Sequence, residues 1–167
     1  MLHRLVALLA IILGLAVSPC STYAQPADSV QFFGNPDWSI SSAVKVPPDR
    51  ALYWTSGTVP PVVDEDAPAD SPARYGDMET QATGILERFA SQLAEEDLSL
   101  SDVVYLRVYL VPGEDGTIDF QGWFDAYAQF FGTAENPTKP ARSTVGVAQL
   151  VNPGWRVEIE AFAAYPE

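Results

Sequence analysis

The chain has 167 residues, 47% of them apolar, enough for one ordinary core and hardly for two domains. Nine Lys and Arg against 22 Asp and Glu leave a formal charge of −13, which repels phosphate backbones and argues against general DNA or RNA binding. The bland consequence of such an acid excess is solubility.

Residues 1–24 read as a cleaved signal peptide. His3 and Arg4 make a positive start, residues 5–17 form an unbroken apolar run, and Thr22-Tyr23-Ala24 places small residues where a signal peptidase reads. The run is too short for a comfortable membrane span of roughly 20 residues, and no later segment is a second candidate. Cys20 invites a lipoprotein reading, but Pro19 occupies the position where Gly or Ala is expected. The expectation is therefore a soluble exported protein, in the periplasm or the medium, with no membrane contact after cleavage. Loss of residues 1–24 removes Arg4, His3 and Cys20, and leaves eight basic against 22 acidic residues, a formal charge of −14. A Ser-His-Asp triad, Cys/His catalysis, a disulfide framework and a zinc site of the usual N/S type are then excluded. Chemistry must come from Arg, Lys, carboxylates, hydroxyls, backbone amides and water, and no metal or cofactor is expected.

Residues 25–39 mix polar and aromatic residues with no clean period and read as an arm laid on the surface or partly disordered, ahead of a domain over 40–167. Segments 43–46 and 51–57 read as two short strands around Pro47-Pro48-Asp49-Arg50, a hairpin opening. Residues 59–74, rich in Pro and acids, read as a solvated loop outside the core. A helix then starts at Asp77 as cap, with Met78, Ala82, Ile85, Leu86, Phe89 and Leu93 on one apolar face. A Val-, Tyr- and Leu-rich strand over 102–111 ends at Pro112-Gly113. The second helix, 119–131, carries Phe120, Trp123, Phe124, Tyr127, Phe130 and Phe131 at helical intervals, a stripe expected to be core. Strands over 142–150 and 155–163 close the domain around Val151-Asn152-Pro153-Gly154.

The order β-β-α-β-α-β-β predicts a two-layer α+β domain, with helices crossing over one face of a single sheet. In the last strand Val157, Ile159, Ala161 and Ala163 alternate with Arg156, Glu158, Glu160 and Phe162, so the face away from the helices is partly charged and meets water or a neighbouring subunit.

The segment Pro140-Ala141-Arg142-Ser143-Thr144-Val145-Gly146-Val147-Ala148-Gln149-Leu150, a loop, and Val157-Glu158-Ile159-Glu160-Ala161 closely resemble the signature of the RidA family of enamine/imine deaminases. Thr55-Ser56-Gly57, Gly76-Asp77-Met78-Glu79-Thr80-Gln81 and Leu100-Ser101-Asp102-Val103-Val104 resemble further family segments, so the likeness spans about residues 40–163. It implies a chorismate-mutase-like fold, a homotrimer, and a cleft between adjacent subunits where 2-imino or 2-enamino acids become 2-oxo acids and ammonia. The partners implied are such small acids and further copies of the chain.

Within that resemblance Arg142 is the carboxylate clamp, because its planar fork matches a carboxylate bidentately. Glu158, by its place in the motif, positions the water and takes its proton. Ser56 and the Gly57 backbone line the pocket, as do positions 40, 124 and 144. Glu160 is expected to be structural, a partner for Arg or Lys across a subunit boundary. The chain departs from the commoner pattern at Ile40 for Tyr, Thr58 for Gln, Phe124 for Asn and Thr144 for Cys, which predicts a bulkier or more apolar substrate, or weak catalysis. Two alternatives stand beside the deaminase. One is an oligomer that binds small carboxylates without turnover. The other is RNA cleavage, a label attached to some relatives, which the acidity and the missing His oppose.

Overall fold

The computed structural model describes residues 29–166; the leader expected over 1–24 and the start of the arm lie outside the described residues. Four strands form the main sheet: β3 (Leu52–Trp54), β4 (Val103–Leu110), β5 (Ala141–Gly146) and β6 (Val157–Ala164). Their order is β3-β6-β4-β5. β6 pairs antiparallel with both β3 and β4, and β4 pairs parallel with β5 through the crossover that carries the second helix. α1 (Met78–Ala94) and α2 (Phe120–Phe130) pack on one face, giving the two-layer α+β architecture.

Local chemistry explains where the helices start. The Asp77 carboxylate accepts from the Thr80 amide at 2.9 Å and so caps α1. Asp119 does the same for α2, accepting from the Gly122 amide at 2.9 Å. At the far end of α1 Asp97 adopts φ 57°, and the Leu98 amide reaches back to the Leu93 carbonyl at 2.8 Å. Met78, Ala82, Ile85, Leu86, Phe89 and Leu93 are all buried, as the spacing predicts. They meet Leu106, Val108 and Leu110 of β4 and Val157, Ile159 and Ala161 of β6. Gln81 is buried among them, and its side chain is fully used: it donates to the Gly76 and Gly154 carbonyls and accepts from the Arg156 amide. Glycine at 154 is required for this close approach, since a Cβ there would lie 2.7 Å from the Ser71 carbonyl oxygen and 2.8 Å from the Tyr75 ring.

Three expectations change. The strand pair around Pro47-Pro48 is not a hairpin. β2 (Ala43–Lys45) pairs antiparallel with β1 (Gln31–Phe33), inside the segment expected as an arm, and β3 instead lies against β6. Two consecutive prolines remove the amide donors that a hairpin ladder would need next to its turn. The strand expected over 142–150 stops at Gly146, and the Val147 amide makes the last bond, to the Leu110 carbonyl, as β4 also ends. Finally, the aromatic stripe of α2 is only partly core. Trp123, Tyr127 and Phe131 are buried, whereas Phe120 and Phe124 are 41% and 40% exposed. The stripe is wider than the strip of helix that meets the sheet and α1.

Candidate functional site

Arg142 and Thr144 sit on β5 in register with Leu106 and Val108, whose side chains enter the helix-side core. Register partners of a parallel pair point the same way, so both side chains face α2. The Arg142 guanidinium carbon lies 4.3 Å from the Tyr127 ring centre and 5.3 Å from those of Trp123 and Phe124. These rings attract the cation while stripping its water. Arg142 Nη1, Thr144 Oγ1 and Trp123 Nε1 are buried without hydrogen-bond partners, and no carboxylate among the described residues pairs with Arg142. Burial lowers its pKa, opposed by Tyr127, yet a guanidinium keeps its proton across the ordinary pH range. Burial also pushes the Tyr127 phenol up to about 12, against the pull of the Arg142 charge.

The Tyr127 hydroxyl donates to the Ser39 carbonyl at 2.9 Å, and the Ser41 hydroxyl donates to the Lys139 carbonyl at 2.6 Å. Ser41 also bridges to Ala141. Ile40 is held between these anchors, packed against the core at the start of β5. β5 is the sheet edge. Because the Val147 amide turns toward β4, alternation turns the Arg142 and Thr144 amides and carbonyls outward. The largely buried Arg142 cation and the Thr144 hydroxyl therefore lie at this edge, where Ser41 bridges the start of β5 and the Thr144 backbone faces outward.

Glu158 belongs to the other face. It is in register with Tyr109, as Glu160 is with Arg107 and Phe162 with Tyr105, all away from the helices. Beside it residues 55–58 follow β6. The Thr55 amide donates to the Ala161 carbonyl at 3.0 Å, and Thr58 exchanges two backbone bonds with Ile159. Ser56 and Gly57 lie exposed between these fixed points. A Cβ at Gly57 would overlap the Glu158 carboxylate, so glycine is what lets the acid lie against this backbone. Burial raises the Glu158 pKa above 4.5, and the neighbouring Glu160 charge raises it further. Glu160 itself is engaged within the chain, accepting from Arg107 at 3.0 Å and from the Tyr109 hydroxyl at 3.3 Å.

The seven candidate residues thus form two groups. Ile40, Phe124, Arg142 and Thr144 gather on the helix side of the β5 edge. Ser56, Gly57 and Glu158 gather on the opposite face, with β4 between β5 and β6. One chain does not bring the two groups to one small molecule. A cavity of about 410 Å3 lies apart from both groups, between the β1–β2 pair and residues 137–139. The open face around Glu158 carries an aromatic cluster instead, with Phe162 at 5.0 Å from Trp54 and 5.4 Å from Tyr105, and Trp54 is 66% exposed. Sequence reasoning assigned Trp123 and Tyr127 to packing alone; their i, i+4 spacing on α2 gives no sign that a strand cation reaches them. Among the described residues no group of three or more His, Cys, Asp or Glu is placed to hold a metal ion.

No curated protein matches the sequence. Solved structures do. A Rid-family protein of unknown function from Yersinia pestis is 21% identical, covers 82% of this chain and 99% of its own, and superposes with a TM-score of 0.60. A member of the YjgF/YER057c/UK114 family from Mycobacterium tuberculosis is 25% identical over 82% of this chain and 100% of its own, with a TM-score of 0.50. A Thermotoga maritima protein described only provisionally as an endoribonuclease is 27% identical over 82% and 98%, with a TM-score of 0.53. The profile of the family described as Endoribonuclease L-PSP matches residues 38–165, the span that holds both groups of candidate residues. The chain therefore belongs to this RidA-like L-PSP family.

Proposed function

We propose that this protein hydrolyses 2-imino or 2-enamino acids to 2-oxo acids and ammonia, at a site completed when the Arg142 edge of one copy meets the Glu158 face of another. The observation that carries the reading is a guanidinium whose Nη1 is buried with no hydrogen-bond partner, and with no acidic partner among the described residues. An unpaired buried charge is costly, and an incoming carboxylate relieves that cost while being fixed in orientation. Thr144 and the outward backbone of β5 supply further polar groups for the substrate nitrogen and carboxylate. Burial and the neighbouring Glu160 charge raise the Glu158 pKa, which makes its carboxylate a better proton acceptor than an ordinary one.

The chemistry balances without further reagents. Water adds its oxygen to the imine carbon as the C=N π pair moves to nitrogen, and Glu158 takes the water proton. The same carboxyl protonates the nitrogen, then takes the carbinol hydroxyl proton and passes it to the amine, so that the C–N bond breaks, the oxygen closes to a ketone and ammonia leaves. The acidity of the chain gives no support to RNA as substrate, since phosphates would meet a net charge of −13.

The test is a coupled assay in which an amino-acid oxidase generates the imine in situ and 2-oxo acid release is followed with and without the protein. Wild type should accelerate release. Arg142→Ala should lower kcat/KM roughly a hundredfold, the scale of a lost charge-assisted pair. A wild-type rate equal to that of buffer, together with calorimetric binding of small carboxylates that Arg142→Ala abolishes, would leave a binding oligomer in place of the enzyme.

A further inference from the structure

We infer that the Phe120–Phe124 pair on α2 is a side-chain subsite that selects substrates bearing a large aromatic group over small ones. The inference rests on the reading of Arg142 as a carboxylate clamp and adds the substrate class. The two rings stack with centres 6.3 Å apart and planes 29° apart, and both remain about two-fifths exposed. They leave an exposed apolar surface that the core does not need, because Trp123, Tyr127 and Phe131 already fill the space beneath α2. An isolated exposed aromatic asks for no explanation, but a stacked pair beside a cation with a buried, unused donor does.

Phe124 links the two features, since its ring also lies 5.3 Å from the Arg142 guanidinium carbon. Phe120 extends the surface away from the clamp. An amino-acid-derived ligand has its side chain on the carbon next to the carboxylate. With the carboxylate on Arg142, a phenyl ring one methylene further out falls over this surface in the offset stacking that aromatic rings prefer. A methyl group in the same place covers little of it. Ile40, packed near Tyr127, adds apolar surface rather than a polar group to this edge. Nothing else about the surface rewards a small or polar side chain.

The experiment has two arms. In the first, imines made in situ from phenylalanine, leucine and alanine are offered to wild type, Phe124→Asn and Phe124→Leu. In the second, phenylpyruvate and pyruvate are titrated calorimetrically into the same proteins, which needs no turnover. Phenylpyruvate should bind at least about tenfold more tightly than pyruvate, the least that covering a phenyl group with apolar surface gives. The ratio should shrink to within about threefold in Phe124→Asn and stay intermediate in Phe124→Leu. Near-equal binding of the two acids by wild type, or an unchanged ratio in a folded Phe124→Asn, overturns the subsite. If the binding ratio holds but no imine is hydrolysed, the subsite stands and the deaminase reading falls. If all imines are hydrolysed alike and the two acids bind alike, the reverse follows. Thermal melts of each variant check folding, and a ring two-fifths exposed leaves room for the substitution.

Discussion

At the scale of single residues, the site depends on charges placed where the protein does not satisfy them. Arg142 loses much of its hydration against Tyr127, Trp123 and Phe124, and cation–π attraction of about 2 kcal/mol per desolvated contact offsets only part of that loss. Among the described residues no carboxylate pairs with it. Glu158 is the converse case, an acid kept partly from water beside a second acid. Both burial and the Glu160 charge disfavour its ionised form, so its pKa lies above 4.5 and the base is lost as pH falls through that raised value. The acid limb of the kcat/KM profile should therefore inflect above pH 4.5. Glu160→Gln removes one of the two causes and should move the inflection to lower pH; a shift upward, or none, would assign the limb to another group. The type and spacing of these residues were legible in the sequence, because the strand signature singles out Arg142 and Glu158. Their environments were not, since neither Tyr127 nor Gly57 is near its partner along the chain.

Among the elements, the helices were the most readable and the short strands the least. Helix caps act within four residues and apolar faces repeat every turn, so Asp77 and the Met78 to Leu93 face are local statements. The three-residue strands β2 and β3 carry no such signal, and their partners, β1 and β6, are chosen by which edge lies open in space. The link between α1 and the β5–β6 loop is equally non-local. Gln81 lies fully buried and serves the Gly76, Gly154 and Arg156 backbones at once. Gln81→Leu should cost about 3 kcal/mol, because backbone groups that cannot reach water are left unpaired. Chemical denaturation would measure this; a change below about 0.5 kcal/mol would show that the network relaxes to other partners. Phe120 and Phe124 belong to the same lesson: helical spacing placed them on the apolar stripe, but the width of the groove left them at its rim.

For the molecule as a whole, the decisive feature is that the sheet separates the two groups of candidate residues. A shared site between copies has a direct consequence. Arg142→Ala and Glu158→Gln should each lose activity alone, the latter by roughly a hundredfold or more. Mixed oligomers of the two, obtained by co-expression with different tags, should recover a measurable fraction, since some interfaces then combine an intact Arg142 with an intact Glu158. Absence of any recovery in mixed oligomers of verified composition would place the chemistry within one chain or elsewhere. The cluster of exposed Trp54 with half-buried Tyr105 and Phe162 is the face that such an assembly would cover.

The sequence by itself determined the two-layer α+β class, both helices and the Asp77 cap, the alternation of β6, and the Arg and Glu on which the chemistry is argued. All of these follow from periodicities of two or 3.6 residues, from capping rules and from a contiguous signature. Only the tertiary structure decided that β3 joins β6 and not β2, that Arg142 is stacked against α2 with an unused donor, and that Glu158 stands on the far face against Gly57. Those facts depend on which faces of distant segments meet, and side-chain direction across a sheet is set by strand pairing that no single segment contains.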